Sequence, residues 1–178
     1  MKKWKTLESN EIHKAGFFRL RTDKCELPDG RVMPRYYVVE FCDWVHVVPV
    51  TADGQVVMVN QYRHAADEWF MEFPGGATDP GEDPKAAALR ELEEETGYVA
   101  KKIEALGMHY PNPAIQTNRV FTYLATGCEL TAKPCLDPFE DLEVKLVEKQ
   151  WLMNQFQTGC INHALVAASL SLAMGRLS

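Results

Sequence analysis

Acidic side chains crowd the segment between Glu82 and Glu95, and this crowding is the first sign of chemistry in the sequence. In a helix, Glu91, Glu94 and Glu95 stand at i, i+3 and i+4, so their carboxylates share one side. Like charges at this spacing destabilise a helix by roughly 0.2–0.5 kcal/mol per pair. Such repulsion is tolerated where a function needs the charges, so the pattern predicts a site that binds a cation.

A hard divalent cation is the simplest partner for these glutamates. Mg²⁺ prefers carboxylate, carbonyl and water oxygens, and a segment without His or Cys suits Mg²⁺ or Mn²⁺ better than zinc. The alternative is a solvated acidic helix face that Lys85 and Arg90 neutralise. The glycine-rich approach to the helix and the additional carboxylate of Glu82 favour the metal site.

The helix that must carry these residues has clear signals at both of its ends. Asp83 is expected to be the N-cap, with Pro84 in the first turn, and Gly97 is expected to end the helix. A separate apolar arc is predicted to pack on the core, and it consists of Ala88, Leu89 and Leu92.

Alternating apolar and polar residues predict strands on both sides of this helix. Two hairpins are expected, one turning at Pro28-Asp29-Gly30 and the other at Ala52-Asp53-Gly54. Further strands are predicted at 69–73, 103–110, 119–126 and 143–147, and helices at 149–157 and 162–175. Because strands dominate the first half and no regular strand–helix alternation follows, the expected fold is an α+β sandwich and not a dinucleotide-binding domain.

The composition limits the classes of protein that remain. The chain has 178 residues, 46% of them hydrophobic, and a net charge of −6, which excludes a wholly disordered chain and disfavours non-specific nucleic-acid binding. The five cysteines are scattered without a C-x-x-C pair, which favours reduced thiols and a cytoplasmic location. The N-terminus lacks an apolar signal-peptide core, and the longest apolar stretch, 164–174, falls short of the roughly 20 residues of a membrane span.

The acidic segment resembles the Nudix box, G-x5-E-x7-R-E-U-x-E-E-x-G-U, where U is a bulky apolar residue. The matching residues are Gly76, Glu82, Arg90, Glu91, Leu92, Glu94, Glu95 and Gly97. Only the final apolar position departs, because Tyr98 stands there. The resemblance implies a Nudix hydrolase, which cleaves the diphosphate of a substituted nucleoside diphosphate with Mg²⁺ or Mn²⁺. It also implies a Nudix α/β/α sandwich with a mixed sheet and an N-terminal β extension.

The same resemblance assigns roles to residues of the box. Glu91 and Glu95 would be the principal metal ligands, and Glu94 a further ligand or a supporting catalytic residue. The backbone carbonyl of Gly75 would be another ligand. Arg90 would orient the glutamates, chiefly through a salt bridge with Glu82. Structural roles in the motif would fall to Gly76, Glu82 and Gly97.

The flanking segments are similar to the branch that hydrolyses ADP-ribose and nucleoside diphosphate sugars. That branch carries Gln-Tyr-Arg, here ending at Arg63, and then Glu-Phe-Pro-Gly-Gly, here beginning at Glu72. The segment Tyr110-Pro-Asn-Pro113 fits less well, because Ala114 replaces the usual glycine and Asn112 the usual small hydroxyl residue. The implied substrates are nucleoside diphosphate sugars, split to a nucleoside monophosphate and a sugar phosphate.

In this branch the catalytic base lies in an acidic loop before the last strand. The equivalent loop here is 136–143, and Glu140 is the first choice, with Glu143 second. A carboxylate near bound metal stays ionised and accepts a proton from water. The alternative is an ordinary acidic loop.

The candidate substrate contacts are mainly arginines, because a planar guanidinium group can bind phosphate through two hydrogen bonds. Arg63 and Arg35 are candidates for the diphosphate and the terminal sugar, with Arg119 opposite them and Glu72 facing the ligand. The alternative for each arginine is a surface salt bridge.

We expect residues 1–34 to form the N-terminal β extension and residues 35–178 to form the Nudix domain. The resemblance implies that the extension crosses to a second subunit and gives a homodimer. No nucleic-acid or membrane partner is expected. Two alternatives remain for the function, namely a Nudix hydrolase of oxidised dNTPs or dinucleoside polyphosphates, and a non-catalytic Nudix module that senses a nucleotide.

Overall fold

The computed structural model describes residues 2–177 and divides them into two compact units. The first unit comprises residues up to 43 together with 110–119, and the second comprises 44–109 and the chain from 120 onward. Each unit has its own sheet of strands.

The first unit is an antiparallel meander of three strands. These are β1 (Lys5–Ala15), β2 (Phe18–Glu26) and β3 (Val32–Phe41), in the order β1-β2-β3. Gly16 and Gly30 make the two turns with φ of 47° and 87°, a region that favours glycine. All the residues of β1 except Ala15 are exposed, so this strand buries almost nothing within its own unit.

The segment 110–119 of the first unit runs beside β3. The N–H of Val39 donates to the carbonyl of Ile115 at 2.7 Å, and the N–H of Thr117 donates to the carbonyl of Val39 at 3.2 Å. These two bonds attach the largely exposed segment to the backbone of β3.

The second unit is built on a mixed sheet of seven strands. They are β4 (Trp44–Thr51), β5 (Gln55–Arg63), β6 (Glu68–Glu72), β7 (Tyr98–Val99), β8 (Lys102–His109), β9 (Val120–Leu130) and β10 (Leu142–Glu148). The main path is β10-β5-β4-β9-β7, with β6 on β5 and β8 on β9. Among the strand pairs of this sheet in the described part of the chain, only β4·β9 is parallel.

Helices cover both faces of this sheet, because the side chains of each strand alternate between the faces. Helix α1 (Pro84–Thr96) packs on Val45, Val47 and Val57. Helices α2 (Lys149–Gln157) and α3 (Ala164–Leu177) pack on the opposite face, against Val48, Val50, Val56 and Met58. The near-continuous valine runs of β4 and β5 follow from burial on both faces.

The ends of α1 follow from its sequence. The carboxylate of Asp83 accepts from the N–H groups of Lys85 and Ala86, and Pro84 occupies the first turn. Gly97 ends the helix with φ of 74°, and its N–H donates to the carbonyl of Glu93.

The predicted fold class is confirmed, with an α+β architecture, a mixed sheet, three helices and N-terminal strands. Both predicted hairpins, the later strands and all three helices are present, most with ends shifted by one or two residues. The pattern did not predict β1 or the two-residue β7. The predicted core arc of α1 needs a correction, because Ala87 is buried with Ala88 and Leu92 whereas Leu89 is only partly buried. In the described part of the chain, no helix is long and apolar enough to cross a membrane.

Replacing Gly97 by alanine should destabilise the protein by about 2 kcal/mol or more. The left-handed backbone costs an L residue roughly 1–2 kcal/mol, and a Cβ atom would lie 2.1 Å from the carbonyl oxygen of Ala132. Gly175→Ala is the matched control, because Gly175 is exposed on α3 and has nothing within 4 Å of its Cβ position. That variant should gain about 0.5–1 kcal/mol. Urea denaturation measures both, and equal stabilities would contradict this account of the helix end.

Candidate active site

The segment after β6 is held along β4 by backbone hydrogen bonds. The N–H of Val47 donates to the carbonyl of Pro74 at 2.8 Å, and the N–H of Val45 donates to the carbonyl of Gly76 at 2.9 Å. In extended chain, alternate residues direct their backbone groups to opposite edges. The peptide groups of Gly75 are therefore directed away from β4, and its N–H donates to Glu95 Oε2 at 2.9 Å.

The surroundings of Gly75 exclude any side chain, and those of Gly76 allow one only if the carboxylate of Glu91 moves. A Cβ atom on Gly75 would lie 2.1 Å from the carbonyl oxygen of Val45. A Cβ atom on Gly76 would lie 2.6–2.8 Å from the carboxylate of Glu91. The segment thus approaches α1 so closely that the carboxylates of Glu91 and Glu95 face its backbone.

Glu91 and Glu95 are the buried carboxylates of α1, 9% and 5% exposed. The pKa of Glu95 is raised to about 8, chiefly by burial. The charges of Glu91 and Glu140 also raise this pKa, whereas the N–H of Gly75 and the charge of Arg63 lower it. Burial also raises the pKa of Glu91, although its hydrogen bond with Arg90 opposes the shift. The protein therefore holds two ionisable groups where their ionised forms are disfavoured, which is typical of functional sites.

Arg90 connects three of the glutamates. Its Nε and Nη2 donate to the two oxygens of Glu82, both at 3.1 Å, and its Nη1 donates to Glu91 at 2.8 Å and to Glu94 at 3.0 Å. The bond to Glu82 is the largest cause of the raised pKa of Arg90. Glu94 remains about half exposed, so its carboxylate lies at the open side of the cluster.

Arg63 and Glu72 form a bidentate ion pair across the β5–β6 hairpin. Arg63 Nε and Nη2 each donate to a Glu72 oxygen at 2.7 Å, and Glu72 is only 2% exposed. The hydrogen bond with Glu72 is the main cause of the raised pKa of Arg63. A third residue, His163, has its Nε2 3.8 Å from Glu72 Oε2. Arg63 is thus fixed in orientation and still about half exposed.

Glu140 lies in a loop that is tied down on both sides. The N–H of Cys135 donates to the carbonyl of Glu94 at 2.8 Å, near the end of α1, and Leu142 pairs with Gln61 where β10 begins. Between these points the carboxylate of Glu140 accepts the N–H of Asp137 at 3.1 Å.

The two candidate bases differ in their surroundings. The charge of Glu140 acts on Glu91, Glu95 and Arg63, so Glu140 is near the buried carboxylates. Glu143 is exposed on β10 and pairs with Lys145 at 2.6 Å.

The other two predicted substrate residues belong to the first unit. Arg35 is exposed on β3. Arg119 forms an ion pair with Asp43, whose carboxylate also accepts the backbone N–H of Arg119 at 2.7 Å. Arg35 and Arg119 lie in the first unit. The second unit contains the residues of the Nudix box together with Gly75, Arg63, Glu72 and Glu140.

Two histidines of the second unit were not singled out from the sequence. His163 approaches Glu72 from the start of α3, and the buried His46 forms a hydrogen bond with Ser169 at 3.0 Å. Burial lowers the pKa of His46 to about 3. The available signal for His46 was a polar residue inside the apolar run of β4, whereas nothing in the sequence distinguishes His163.

The chemistry of the donors decides whether a metal fits. Among residues 2–177, no group of three or more His, Cys, Asp and Glu side chains is already arranged around a common metal position. The site instead offers the carboxylates of Glu91 and Glu95 beside the backbone of Gly75. Mg²⁺ commonly binds through one or two carboxylates and keeps several waters, so these oxygens suit it.

Comparison with known proteins gives two family matches. The model of the NUDIX domain matches residues 42–164, and the model of the nucleoside diphosphate sugar hydrolase N-terminal domain matches residues 4–39. A solved structure described as an ADP compounds hydrolase aligns with a TM-score of 0.85 at 21% identity, covering 99% of this chain and 95% of that one. At this identity the likeness concerns the fold.

Two relatives of closer sequence carry different names. An ADP-ribose pyrophosphatase of Bacillus subtilis is 36% identical over 141 residues, which are 79% of this chain and 76% of the relative. A methanol dehydrogenase activator of Bacillus methanolicus is also 36% identical, over 69% of this chain and 66% of the relative. The NUDIX match covers most of the chain and includes every residue of the box, so the chain belongs to the Nudix family of hydrolases.

Proposed function

We propose that the protein hydrolyses the diphosphate linkage of nucleoside diphosphate sugars, including ADP-ribose, with Mg²⁺ or Mn²⁺. The observation that carries this proposal is the burial of Glu91 and Glu95 against the backbone of Gly75. Support for the substrate class comes from the match to the nucleoside diphosphate sugar hydrolase N-terminal domain and from the ADP-ribose pyrophosphatase of B. subtilis.

The proposed metal ligands are the carboxylates of Glu91 and Glu95 and the carbonyl of Gly75. Glu94, at the open side of the cluster, is the further ligand in this proposal. Two ionised carboxylates buried side by side destabilise the empty site, and a cation removes that cost. A bound divalent cation neutralises phosphate charge and activates water at neutral pH.

The remaining residues bind and orient. Arg90 orients Glu91 and Glu94 through its hydrogen bonds and holds Glu82, which precedes α1, beside the helix. Arg63 is held by Glu72 through Nε and Nη2, which leaves Nη1 to donate to a phosphate oxygen. Arg35 and Arg119 remain proposed contacts to the substrate.

Glu140 is the proposed general base. It takes a proton from water as the water oxygen forms a bond to phosphorus, while the bond from phosphorus to the bridging oxygen breaks. The products are a nucleoside monophosphate and a sugar phosphate. The proximity of Glu140 to Glu91 and Glu95 supports this choice over Glu143, which is exposed and paired with Lys145.

The domain boundaries, the assembly and the location are part of the same proposal. Residues 1–34 would serve as a dimerisation extension of a Nudix domain at 35–178, because the exposed apolar side chains of β1 need a partner surface. Light scattering should give twice the chain mass, and a monomer at micromolar concentration would contradict the proposed dimer.

The scattered cysteines support a cytoplasmic location.

Two other functions make different predictions. A Nudix hydrolase of triphosphates or dinucleoside polyphosphates would release other products. A nucleotide sensor would bind without turnover, but the retention of every box carboxylate argues against it.

Product analysis tests the proposed reaction directly. With millimolar Mg²⁺, the protein should convert ADP-ribose and related nucleotide sugars to a nucleoside monophosphate and a sugar phosphate, resolved by chromatography. Release of no monophosphate from any member of the panel would refute the proposal. Inorganic pyrophosphate from a triphosphate would support the first alternative, and tight binding without products would support the second.

Replacing Glu140 by glutamine should reduce kcat by about 10²–10⁴-fold and leave KM nearly unchanged, because the amide cannot accept the proton. Asp141→Asn is the matched control, since Asp141 is an exposed neighbour in the same loop. If Glu143→Gln causes the larger loss, the role of base passes to Glu143.

The metal-free protein should lose stability as the pH rises. The pKa of Glu95 is about 8 in the folded state and about 4.3 in an unfolded chain, so the folded state holds this proton more tightly. The stabilisation is complete below about pH 4 and is lost as the pH approaches 8, by at most about 1.4 kcal/mol per pH unit. Glu95→Gln should remove this dependence and abolish activity.

Urea denaturation in EDTA at pH 5, 6, 7 and 8 measures the effect. Glu93→Gln is the control, because Glu93 is exposed on the same helix. If the wild type and Glu95→Gln show the same change between pH 5 and pH 8, Glu95 does not carry the proton.

A further inference from the structure

A chain of hydrogen bonds runs from β9 through α3 to β4, on the face of the sheet opposite α1. Thr122 Oγ1 lies 3.0 Å from Ser169 Oγ, and Ser169 Oγ lies 3.0 Å from His46 Nδ1. Thr122 and Ser169 are completely buried, and His46 is 7% exposed. All three polar groups are removed from water, so each depends on the others for its hydrogen bonds.

The other edge of the His46 ring lies against the glycine segment. A Cβ atom on Gly75 would be 3.0 Å from His46 Cδ2 and 3.0 Å from His46 Cα. The imidazole and the backbone of β4 together leave Gly75 no room for a side chain. A displacement of this ring would therefore displace the peptide of Gly75.

Gly75 is in turn connected to the acidic cluster, because its N–H donates to Glu95 Oε2 at 2.9 Å. The neighbours of His46 in β4 are valines, and an aliphatic side chain at this place would need no hydrogen-bond partner. The hydrogen bond with Ser169 fixes the orientation of the His46 ring. An aliphatic side chain has no such directional bond, so its orientation would be less well defined.

We propose that His46 is a positioning residue for the metal site. Ser169 fixes its ring through Nδ1, the ring fixes Gly75, and Gly75 fixes Glu95. The inference rests on the proposed function only in so far as Glu95 is a metal ligand. The link from His46 to the Gly75–Glu95 hydrogen bond stands independently of any metal.

Two measurements test this link. The first is hydrogen exchange of the Gly75 amide in the metal-free protein, followed by NMR. The second is the affinity for Mn²⁺ without substrate, followed by electron paramagnetic resonance. Ser169→Ala should speed Gly75 exchange and weaken Mn²⁺ binding by about 10-fold. Losses of this size are usual for residues that orient a metal ligand without contacting the metal themselves. His46→Ala should have at least the same effect.

Two further variants separate positioning from general destabilisation. His46→Ala/Ser169→Ala should be no worse than His46→Ala alone, because Ser169 acts through His46. Val48→Ala is the matched control, since Val48 is buried on the same face of β4, two residues away. This variant should lose stability but keep its Mn²⁺ affinity within about 2-fold of the wild type. Its Gly75 exchange rate should also stay within about 2-fold, once the exchange that occurs through global unfolding is subtracted.

The proposal is overturned if Ser169→Ala keeps wild-type Gly75 exchange, or if Val48→Ala reproduces its effects. If His46→Ala does not fold, Ser169→Ala decides, because it removes only a hydroxyl group. A wild-type protein that binds no Mn²⁺ would refute the proposed metal site, and Gly75 exchange alone would then decide the role of His46.

Discussion

The close approach of the Gly75 backbone to α1 is the constraint on which the site depends. It brings one peptide N–H to the carboxylate of Glu95. It leaves a Cβ atom no space at Gly75, and at Gly76 a Cβ atom would displace the carboxylate of Glu91. Two carboxylates are consequently buried, and Arg90 forms a hydrogen bond with only one of them, Glu91. A site of this kind is costly when empty, and the cost is the physical reason to expect a cation there.

The rest of the second unit maintains that approach. Strand β4 accepts α1 on one face and α3 on the other, and the glycine segment runs along the same strand through bonds to Val45 and Val47. The caps of α1 set its ends, so the register of its carboxylates against Gly75 is fixed. The stability of the core and the geometry of the site thus depend on the same elements.

Local signals were enough to predict α1, because a capping aspartate, a first-turn proline and a terminal glycine each act within a few residues. The box could be recognised because its chemistry requires several residues at fixed spacing on that one helix. The strand β1 was not predicted, since an exposed strand lacks the alternation that burial imposes. The contacts of His46 with Ser169 and of His163 with Glu72 also could not be predicted, because tertiary packing joins residues far apart in the sequence.

The attachment of the acidic loop to α1 has a consequence for how this protein tolerates change. The backbone N–H of Cys135 forms a hydrogen bond with the carbonyl of Glu94, and Leu142 pairs with Gln61 in the sheet. Glu140 therefore lies in a short tether, residues 136–141, that is fixed at both ends. A tether of this length confines its carboxylate to a small volume and gives it a high effective concentration at the acidic cluster. Insertions here would dilute that concentration with little loss of stability, since each doubling of loop length costs only about 0.6 kcal/mol. With Glu140 as the proposed base, changes in this tether would thus alter the rate of hydrolysis far more than the stability of the fold.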